Sequence, residues 1–254
     1  SSLTFSFFYA FSENYILPIS HDEVVYGKGS LVNKMPGDEA QKQAGMRCFV
    51  TYMMAHPGKK LQFMGTEFAQ KNEWNFEKEL EWGLLQHQEH RDAQNFFRAV
   101  NRFYLSRPEL WEQDFDWSGF EWISNDDYKQ SVIAFRRKSK DGRELVAVCN
   151  FVPVERHNYR IGLPVRGTWA EVFSSDDKAF GGGGVTNGSS VKTEDIPMHG
   201  CEQSAALTLP ANTVFFLECM RRNPKRAVKP PQSKLSGAKE KLSVQRRSVK
   251  AKKA

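Results

Sequence analysis

The chain has 254 residues, of which 40% are hydrophobic and 13% aromatic, enough for a sizeable core in one large domain or two ordinary ones. It holds no run near the roughly 20 apolar residues of a membrane span, and its apolar start lacks the basic region and cleavage pattern of a signal peptide, so we expect no membrane partner. The net charge of +6 is local: residues 223–254 carry 11 Lys or Arg and one acid, which leaves a net charge of −4 on the rest.

Four cysteines are scattered along the chain, and three of them, Cys48, Cys149 and Cys219, lie in apolar runs. None has a second cysteine or a histidine at the spacing of a zinc site, so we expect no metal and no cofactor. Buried free thiols are typical of proteins in a reducing cytosol, and the sequence therefore predicts a cytoplasmic protein.

The first half of the chain begins with a predicted strand and a predicted helix. The apolar pattern places a short buried strand at residues 15–19, followed by a loop that contains glycine. Asp38 is a candidate N-cap, with Gln41 as the partner residue of a capping box, and Pro57 marks the end of the helical period.

The same alternation then repeats. A second short buried strand is predicted from Leu61 to Gly65, then a long polar and aromatic loop over residues 66–91, and then a helix from about Asp92 to Ser106. This order is typical of βα units in a parallel sheet. Two such units cannot close a barrel or bury both faces of a sheet, so the rest of that domain must come from elsewhere.

After residue 114 the pattern changes to short segments rich in β-branched and aromatic residues, separated by turns. They are FEWISN, QSVIAFRRK, ELVAVCNF, HNYRIGL, GTWAEVF, SAALTLP and TVFFLEC. Lys140-Asp-Gly-Arg143 is a strong hairpin signal between the second and third of them. The pattern predicts an antiparallel β-sandwich of about 100 residues.

Two further segments have strongly biased composition. Residues 181–190, GGGGVTNGSS, predict a flexible loop within the sandwich. Residues 222–254 are basic and nearly free of large apolar groups, which predicts a disordered tail. The tail lacks interleaved aromatic residues and a folded reader, so we expect no specific nucleic-acid partner.

Three longer stretches carry a family resemblance: ENYILPISHDEVVYGKGSLVNKMPGD, PGKKLQFMGTEFAQKNEWN and NFVPVERHNYRIGLP. Together, and in this order, they resemble the C-terminal third of the 1,4-α-glucan (glycogen) branching enzymes of the α-amylase superfamily. The resemblance implies an α/β part followed by an all-β part. Residues 1–113 would be the last two βα units of a TIM-type (β/α)₈ catalytic barrel, 114–221 an antiparallel β-sandwich, and 222–254 the tail.

The resemblance also implies a reaction and a partner. These enzymes cleave an α-1,4 linkage, hold the glucan as a covalent glycosyl-enzyme and transfer it to a 6-hydroxyl to form an α-1,6 branch. The partners implied are an α-glucan and an N-terminal barrel segment of the same protein. Since the pattern places the nucleophile and the general acid/base on earlier strands, this chain alone is expected to be inactive.

Candidate site residues follow the first predicted strand, where a barrel enzyme carries its chemistry. Asp22 matches the third catalytic carboxylate of the family, which would hydrogen-bond the sugar at the scissile ring, and His21 matches the histidine of the same motif. Glu23, Lys28 and Trp74 are candidate substrate-binding residues. Each has an equal alternative: a loop-holding role for Glu23, a position on a solvated loop for Lys28, and a buried anchor of the long loop for Trp74.

Two other functions stay open at the level of sequence. Debranching and hydrolytic enzymes of the same superfamily share these features, because the choice of acceptor depends on groove shape and water exclusion. A non-catalytic glucan-binding polypeptide is the alternative from another class. The remaining histidines are expected to have no role in metal binding: His56 at the end of a helix, where a positive charge would be favourable, and His87 and His90 in a polar loop.

Overall fold

The structure is a computed structural model that describes residue 7 and residues 9–220. The predicted disordered tail lies outside the described residues. In chain order the main elements are β1 (Ile16–Ile19), α1 (Glu39–Ala55), β2 (Lys59–Gln62), α2 (Gln88–Ser106), β3 (Phe120–Ser124), β4 (Val132–Lys138), β5 (Glu144–Asn150), β6 (Arg156–Leu163), β7 (Thr168–Ser174), β8 (Val191–Lys192), β9 (Gln203–Leu209) and β10 (Thr213–Cys219). No helix among the described residues is long and apolar enough to cross a membrane.

The first half contains a β-α-β unit, as predicted. Strands β1 and β2 pair in parallel, with Ile16 opposite Lys59 and Ile19 opposite Gln62, and α1 connects them. The predicted capping box is present: Asp38 accepts from the backbone N–H of Gln41 at 2.9 Å, and the Gln41 side chain accepts from the backbone N–H of Asp38 at 3.0 Å. The local sequence therefore fixes where α1 begins.

Element boundaries in this half differ from the sequence prediction. Strand β2 ends at Gln62 rather than at Gly65, because Gly65 adopts a left-handed φ of 88° and Thr66–Phe68 form one turn of 3₁₀ helix. Helix α2 begins at Gln88 instead of near Asp92. The first turn of α2 is polar and mostly exposed, so its sequence shows no apolar periodicity that would predict a helix.

The predicted burial of these two strands is also only partly present. Ile19 is buried, whereas the side chain of Ile16 is 59% exposed and that of Leu61 is 45% exposed. Among the described residues, β1 and β2 form a sheet of two strands. Their apolar side chains are exposed because a pair of strands with one neighbour each leaves an edge and part of a face uncovered.

The second half is an antiparallel sandwich, as predicted. One sheet has the strand order β3-β4-β5-β10-β7-β8, and the second pairs β6 with β9. Gly142 in the predicted hairpin takes a φ of 81°, which explains why glycine stands there. Strands β4, β5 and β10 present alternate residues to β6 and β9, and the core between the sheets includes Val146, Ile161, Trp169, Leu207 and Phe215.

The opposite face of the larger sheet packs on the helices. Tyr52 and Ala55 of α1 and Phe103 of α2 share one buried cluster with Phe135 and Phe216 of the sheet. The helical and all-β parts therefore have a common core within the described residues. The predicted domain boundary between residues 113 and 114 stays a prediction, since a continuous core neither marks nor removes an evolutionary boundary.

The glycine-rich segment predicted as flexible is anchored. The carboxylate of Asp176 accepts from the backbone N–H groups of Gly183 at 2.8 Å and Val185 at 3.1 Å. Phe180 at its start contacts Phe96 of α2, with ring centroids 5.7 Å apart. The composition of residues 181–190 predicted a flexible loop because Asp176, which accepts the hydrogen bonds of this segment, lies outside it.

Candidate functional site

The residues after β1 form a tightly capped turn. His21–Glu23 make one turn of 3₁₀ helix, and the Ser20 hydroxyl accepts from the backbone N–H of Asp22 at 3.2 Å. The Glu23 carboxylate turns back and accepts from the Ser20 backbone N–H at 2.5 Å and from its hydroxyl at 2.8 Å. The hydrogen bond from the Ser20 side chain is the main cause that lowers the pKa of Glu23. The geometry thus favours the loop-holding role for Glu23.

His21 and Asp22 project from this turn into solvent. Their side chains are 53% and 67% exposed, and Nε2 of His21 lies 3.3 Å from Oδ1 of Asp22. The turn is capped by Ser20 and Glu23, so the Asp22 carboxylate is not needed to close it. Both side chains are therefore free to bind a ligand at the carboxyl end of β1.

Trp74 brings the loop after β2 against this turn. Its backbone N–H donates to the carbonyl oxygen of Val24 at 3.0 Å. Its ring meets Phe63 edge-on, with centroids 5.1 Å apart, and lies 6.1 Å from the His21 ring at 70°. The two loops that follow neighbouring parallel strands thus meet, as parallel strands require. Trp74 is half-buried and serves as an anchor of the long loop, with part of its surface still open.

Glu73 holds the two loops together, and the sequence reasoning missed it. Its carboxylate accepts from the backbone N–H of Gly27 at 3.0 Å and of Gly29 at 2.6 Å. These two bonds lower the pKa of Glu73, the Gly29 bond most strongly. The sequence signal that could have indicated this contact was the pair Gly27 and Gly29. Because glycine has no side chain, a carboxylate can approach the backbone N–H groups of both residues.

Lys28 and Tyr26 lie on the clamped loop. The Lys28 ammonium donates to the backbone carbonyl oxygen of Asp22 at 2.6 Å, so part of its hydrogen-bonding capacity supports the turn. The Tyr26 side chain is 92% exposed, and its φ of 56° is unusual for a residue other than glycine.

A cleft of about 830 Å³ opens between the two loops. Of the predicted site residues, His21 and Trp74 line it, together with Tyr26 and the segment Asn72–Glu81. Asp22, Glu23 and Lys28 do not belong to its lining. Asp22 instead stands beside the cleft, in contact with His21. The structure therefore brings together His21, Asp22 and Trp74, and leaves Glu23 behind them.

Two histidines differ from their predicted settings. His56 is buried at the end of α1, and burial lowers its pKa to about 4, so it is neutral and carries no charge for the helix end. His90 lies within α2 rather than in a loop, buried, and its Nδ1 donates to the carbonyl oxygen of Phe68 at 2.8 Å. Among the residues that the structure describes, no group of three or more His, Cys, Asp or Glu side chains could hold a metal ion.

Comparison with known proteins supports the resemblance. The family model for the α-amylase C-terminal all-beta domain matches residues 122–220. A 1,4-alpha-glucan branching enzyme GlgB of Aromatoleum aromaticum is 52% identical over 85% of this chain and 34% of its own length. The GlgB of Aquifex aeolicus is 49% identical over 85% of this chain and 34% of its own length. The chain thus spans about a third of these relatives.

One solved structure, a cyclomaltodextrinase, has a similar fold. A cyclomaltodextrinase superposes on 80% of this chain and 29% of its own with a TM-score of 0.50 and 15% sequence identity. An alpha-amylase from H. orenii covers 80% of this chain with a TM-score of 0.49. At this identity the first of these supports the fold alone.

Proposed function

The chain is a relative of the C-terminal third of the 1,4-α-glucan branching enzymes, and on that premise we propose that it is the C-terminal part of such an enzyme. The proposed reaction cleaves an α-1,4 linkage in a glucan chain and transfers the chain to a 6-hydroxyl. The substrate is an α-glucan of the glycogen or amylose type. The four free cysteines, of which Cys48 and Cys149 are buried, favour a cytoplasmic location.

On this proposal, β1-α1-β2-α2 supplies the last two βα units of a (β/α)₈ barrel. The parallel pairing of β1 with β2 supports it. So does the apolar surface beside β1, where Tyr9, Ile16, Leu17 and Pro57 line an open hollow of about 350 Å³. An upstream barrel segment of the same protein would cover this surface, which as an isolated face would cost free energy in water.

The proposed chemistry uses a pair of upstream carboxyl groups as nucleophile and general acid/base. Asp22 would accept hydrogen bonds from hydroxyl groups of the scissile glucose, and these bonds strengthen as the ring flattens toward an oxocarbenium-like transition state. Preorganised contacts of this kind are worth about 3–4 kcal/mol. His21, held against Asp22, would donate to a neighbouring hydroxyl and fix the ring.

One observation carries the proposal. Asp22 and His21 stand exposed and in contact at the carboxyl end of a parallel strand, next to the cleft that Trp74 lines. A carboxylate beside an imidazole and an aromatic ring suits a neutral polyhydroxylated ring better than a phosphate, which would meet a negative charge. Lys28 supports the turn that presents Asp22, because its ammonium donates to the Asp22 carbonyl oxygen.

A hydrolytic or debranching reaction is the alternative within the superfamily, because the choice between water and a sugar hydroxyl as acceptor depends on groove shape and water exclusion. The two reactions differ in their products. Branching leaves the number of reducing ends unchanged after transfer and creates α-1,6 linkages, whereas hydrolysis adds one reducing end for each bond cleaved.

The test is to incubate the full-length protein with linear amylose and to follow iodine absorbance, reducing ends and the chains released by isoamylase. Branching predicts a loss of iodine absorbance with new isoamylase-sensitive chains and few new reducing ends. The 254-residue chain alone, as the matched control, should leave the iodine spectrum unchanged. Reducing ends that rise in step with the absorbance loss would show hydrolysis instead.

A further inference from the structure

Two large aromatic rings stand almost fully in solvent at the cleft between the loops. The Tyr26 side chain is 92% exposed and that of Phe76 is 81% exposed, and both line the cleft with Trp74. Burying an aromatic ring away from water is favourable, so large rings are seldom left exposed without a reason. Exposed rings that line the same cleft therefore indicate an interaction site. Neither ring contributes to a buried core cluster of the described residues.

The frame that presents these rings is fixed by two carboxylates. Glu73 accepts from the backbone N–H groups of Gly27 and Gly29, on either side of Lys28 and directly after Tyr26. Glu81 accepts from the backbone N–H groups of Lys71 at 3.1 Å and Asn72 at 2.9 Å. The cleft therefore has preorganised walls, and a ligand that enters it need not order them.

The backbone of Tyr26 adds a second sign of a built site. Its φ of 56° places a bulky residue in the left-handed region, where glycine or asparagine is favoured. Such a conformation costs free energy and is retained where the surrounding structure imposes it, often at ligand-binding sites. The residue that follows Tyr26, Gly27, is held by the Glu73 carboxylate, and the Tyr26 side chain is exposed.

The charges of the lining select the kind of ligand. Glu77 and Glu79 add free carboxylates to the cleft, Lys78 is the basic residue between them, and Asn72 and Asn75 add neutral polar groups. This acidic and amide-bearing wall repels phosphates and nucleic acids. A neutral chain with apolar ring faces and hydroxyl-bearing edges matches both the aromatic rings and the polar groups.

The geometry points to a binding subsite for a linear α-1,4-glucan chain in this cleft, with Tyr26 and Phe76 as the stacking surfaces. The inference rests on the proposed function and deepens it, because the subsite would hold glucose units remote from the scissile bond that Asp22 contacts. These two rings would set affinity for the chain, while the rate of bond cleavage at saturation would be independent of them.

The test measures maltoheptaose binding by calorimetry and amylose kinetics on the full-length protein. Tyr26→Asn removes the ring while keeping a residue that tolerates a positive φ, and Phe76→Ala removes the second ring. Each change should raise the Kd for maltoheptaose and the KM for amylose roughly three- to tenfold, with kcat nearly unchanged. Tyr26→Trp should restore wild-type affinity, which a merely structural role would not predict.

The matched control is Tyr128→Ala, which removes a ring that is 75% exposed but lies outside the cleft lining, and it should leave Kd and KM unchanged. If the wild-type protein binds maltoheptaose and branches amylose while the cleft variants bind within twofold of it, the subsite is wrong and the proposed function stands. If the wild-type protein neither binds nor branches, the proposed function fails, and this inference fails with it.

Discussion

The guanidinium of Arg137 donates to the carboxylate of Asp114 at 2.7 Å, and both side chains are completely excluded from solvent. Further N–H groups of Arg137 donate to the carbonyl oxygens of Ala55 at 2.7 Å and Gly119 at 3.1 Å, and the Lys59 ammonium lies 2.9 Å from the second Asp114 oxygen. Burial lowers the pKa of Arg137, and the charge of Asp114 opposes this. The pair connects the sandwich to the end of α1 and the start of β2.

Breaking this pair should be strongly destabilising. Asp114→Asn leaves a buried guanidinium without its counter-charge, for which we expect a loss of about 3–5 kcal/mol in the free energy of unfolding, measured by urea denaturation. The matched control is Asp195→Asn, since Asp195 pairs with Arg166 at 2.6 Å where both side chains are about two-thirds exposed. That change should cost less than about 1 kcal/mol. Equal effects of the two substitutions would contradict the prediction.

Asp22→Asn should reduce turnover without disturbing the fold. Because Ser20 and Glu23 close the turn, the Asp22 carboxylate can be replaced without loss of a cap. In the full-length protein of the proposed function, we expect kcat on amylose to fall by about two to three orders of magnitude, which corresponds to losing about 3–4 kcal/mol of transition-state stabilisation. Binding of maltoheptaose should change little.

The control for that experiment is Asp126→Asn, an exposed carboxylate in the turn before β4, which should leave kcat at the wild-type value. The thermal unfolding midpoint of both variants should match the wild type. Near-normal turnover of Asp22→Asn would remove this residue from the mechanism.

The clamp by Glu73 should loosen in acid. The folded-state pKa of Glu73 lies below its ordinary value of 4.5, so its contribution is present above about pH 4.5 and is lost as the pH falls through the folded-state pKa. Hydrogen exchange of the Gly27 and Gly29 amides should therefore accelerate on acidification more than intrinsic exchange chemistry accounts for.

In the Glu73→Gln variant this additional acceleration should vanish, because an amide oxygen does not titrate in this range and accepts from fewer N–H groups. Exchange at the two amides should already be fast at neutral pH. Glu77→Gln, an exposed neighbour in the same segment, should behave as the wild type. A Glu73→Gln variant with wild-type protection would show that the clamp does not hold the loop.

For the contribution of Glu109 to the free energy of unfolding, we expect the opposite pH dependence. Its side chain is fully buried, and neither carboxyl oxygen accepts a hydrogen bond from another described residue. Burial raises its pKa, so the ionised carboxylate destabilises the fold more than the neutral acid does. The free energy of unfolding is therefore higher below about pH 4.5, and this advantage is lost as the pH rises through the raised pKa. We expect Glu109→Met to raise the free energy of unfolding by about 1–3 kcal/mol near pH 8 and by less near pH 4. A stability difference that is independent of pH would contradict this.

Much of the architecture was predictable from the sequence for identifiable reasons. The seven sandwich segments are rich in β-branched and aromatic residues and are separated by turns, and Lys140-Asp-Gly-Arg143 carries the local chemistry of a hairpin turn. The start of α1 follows from the capping box of Asp38 and Gln41. The ends of β2 and the start of α2 were misplaced, because a left-handed Gly65 and a solvated first turn leave no apolar period to read.

The site was predictable in its position and less so in its roles. The motif placed His21 and Asp22 at the end of β1, and the structure puts them together there. The backward turn of Glu23 and the clamp by Glu73 depend on hydrogen bonds to backbone groups, and side-chain patterns do not record these. The burial of His56 and His90 depends on tertiary packing that brings Phe7 and Phe68 to them. The substrate-binding roles of Lys28 and Trp74 stay predictions.

The contact between Arg137 and the carbonyl oxygen of Ala55 has a practical consequence for dissecting the protein. A truncation that deletes the sandwich strips the last turn of α1 of its cation and uncovers Tyr52 and Phe103 at once. Such a truncated protein would aggregate or unfold before binding of a ligand to the remaining half could be measured. Truncated proteins would therefore show only a loss of solubility. The contribution of each half to binding and stability is better measured with point substitutions in the intact polypeptide.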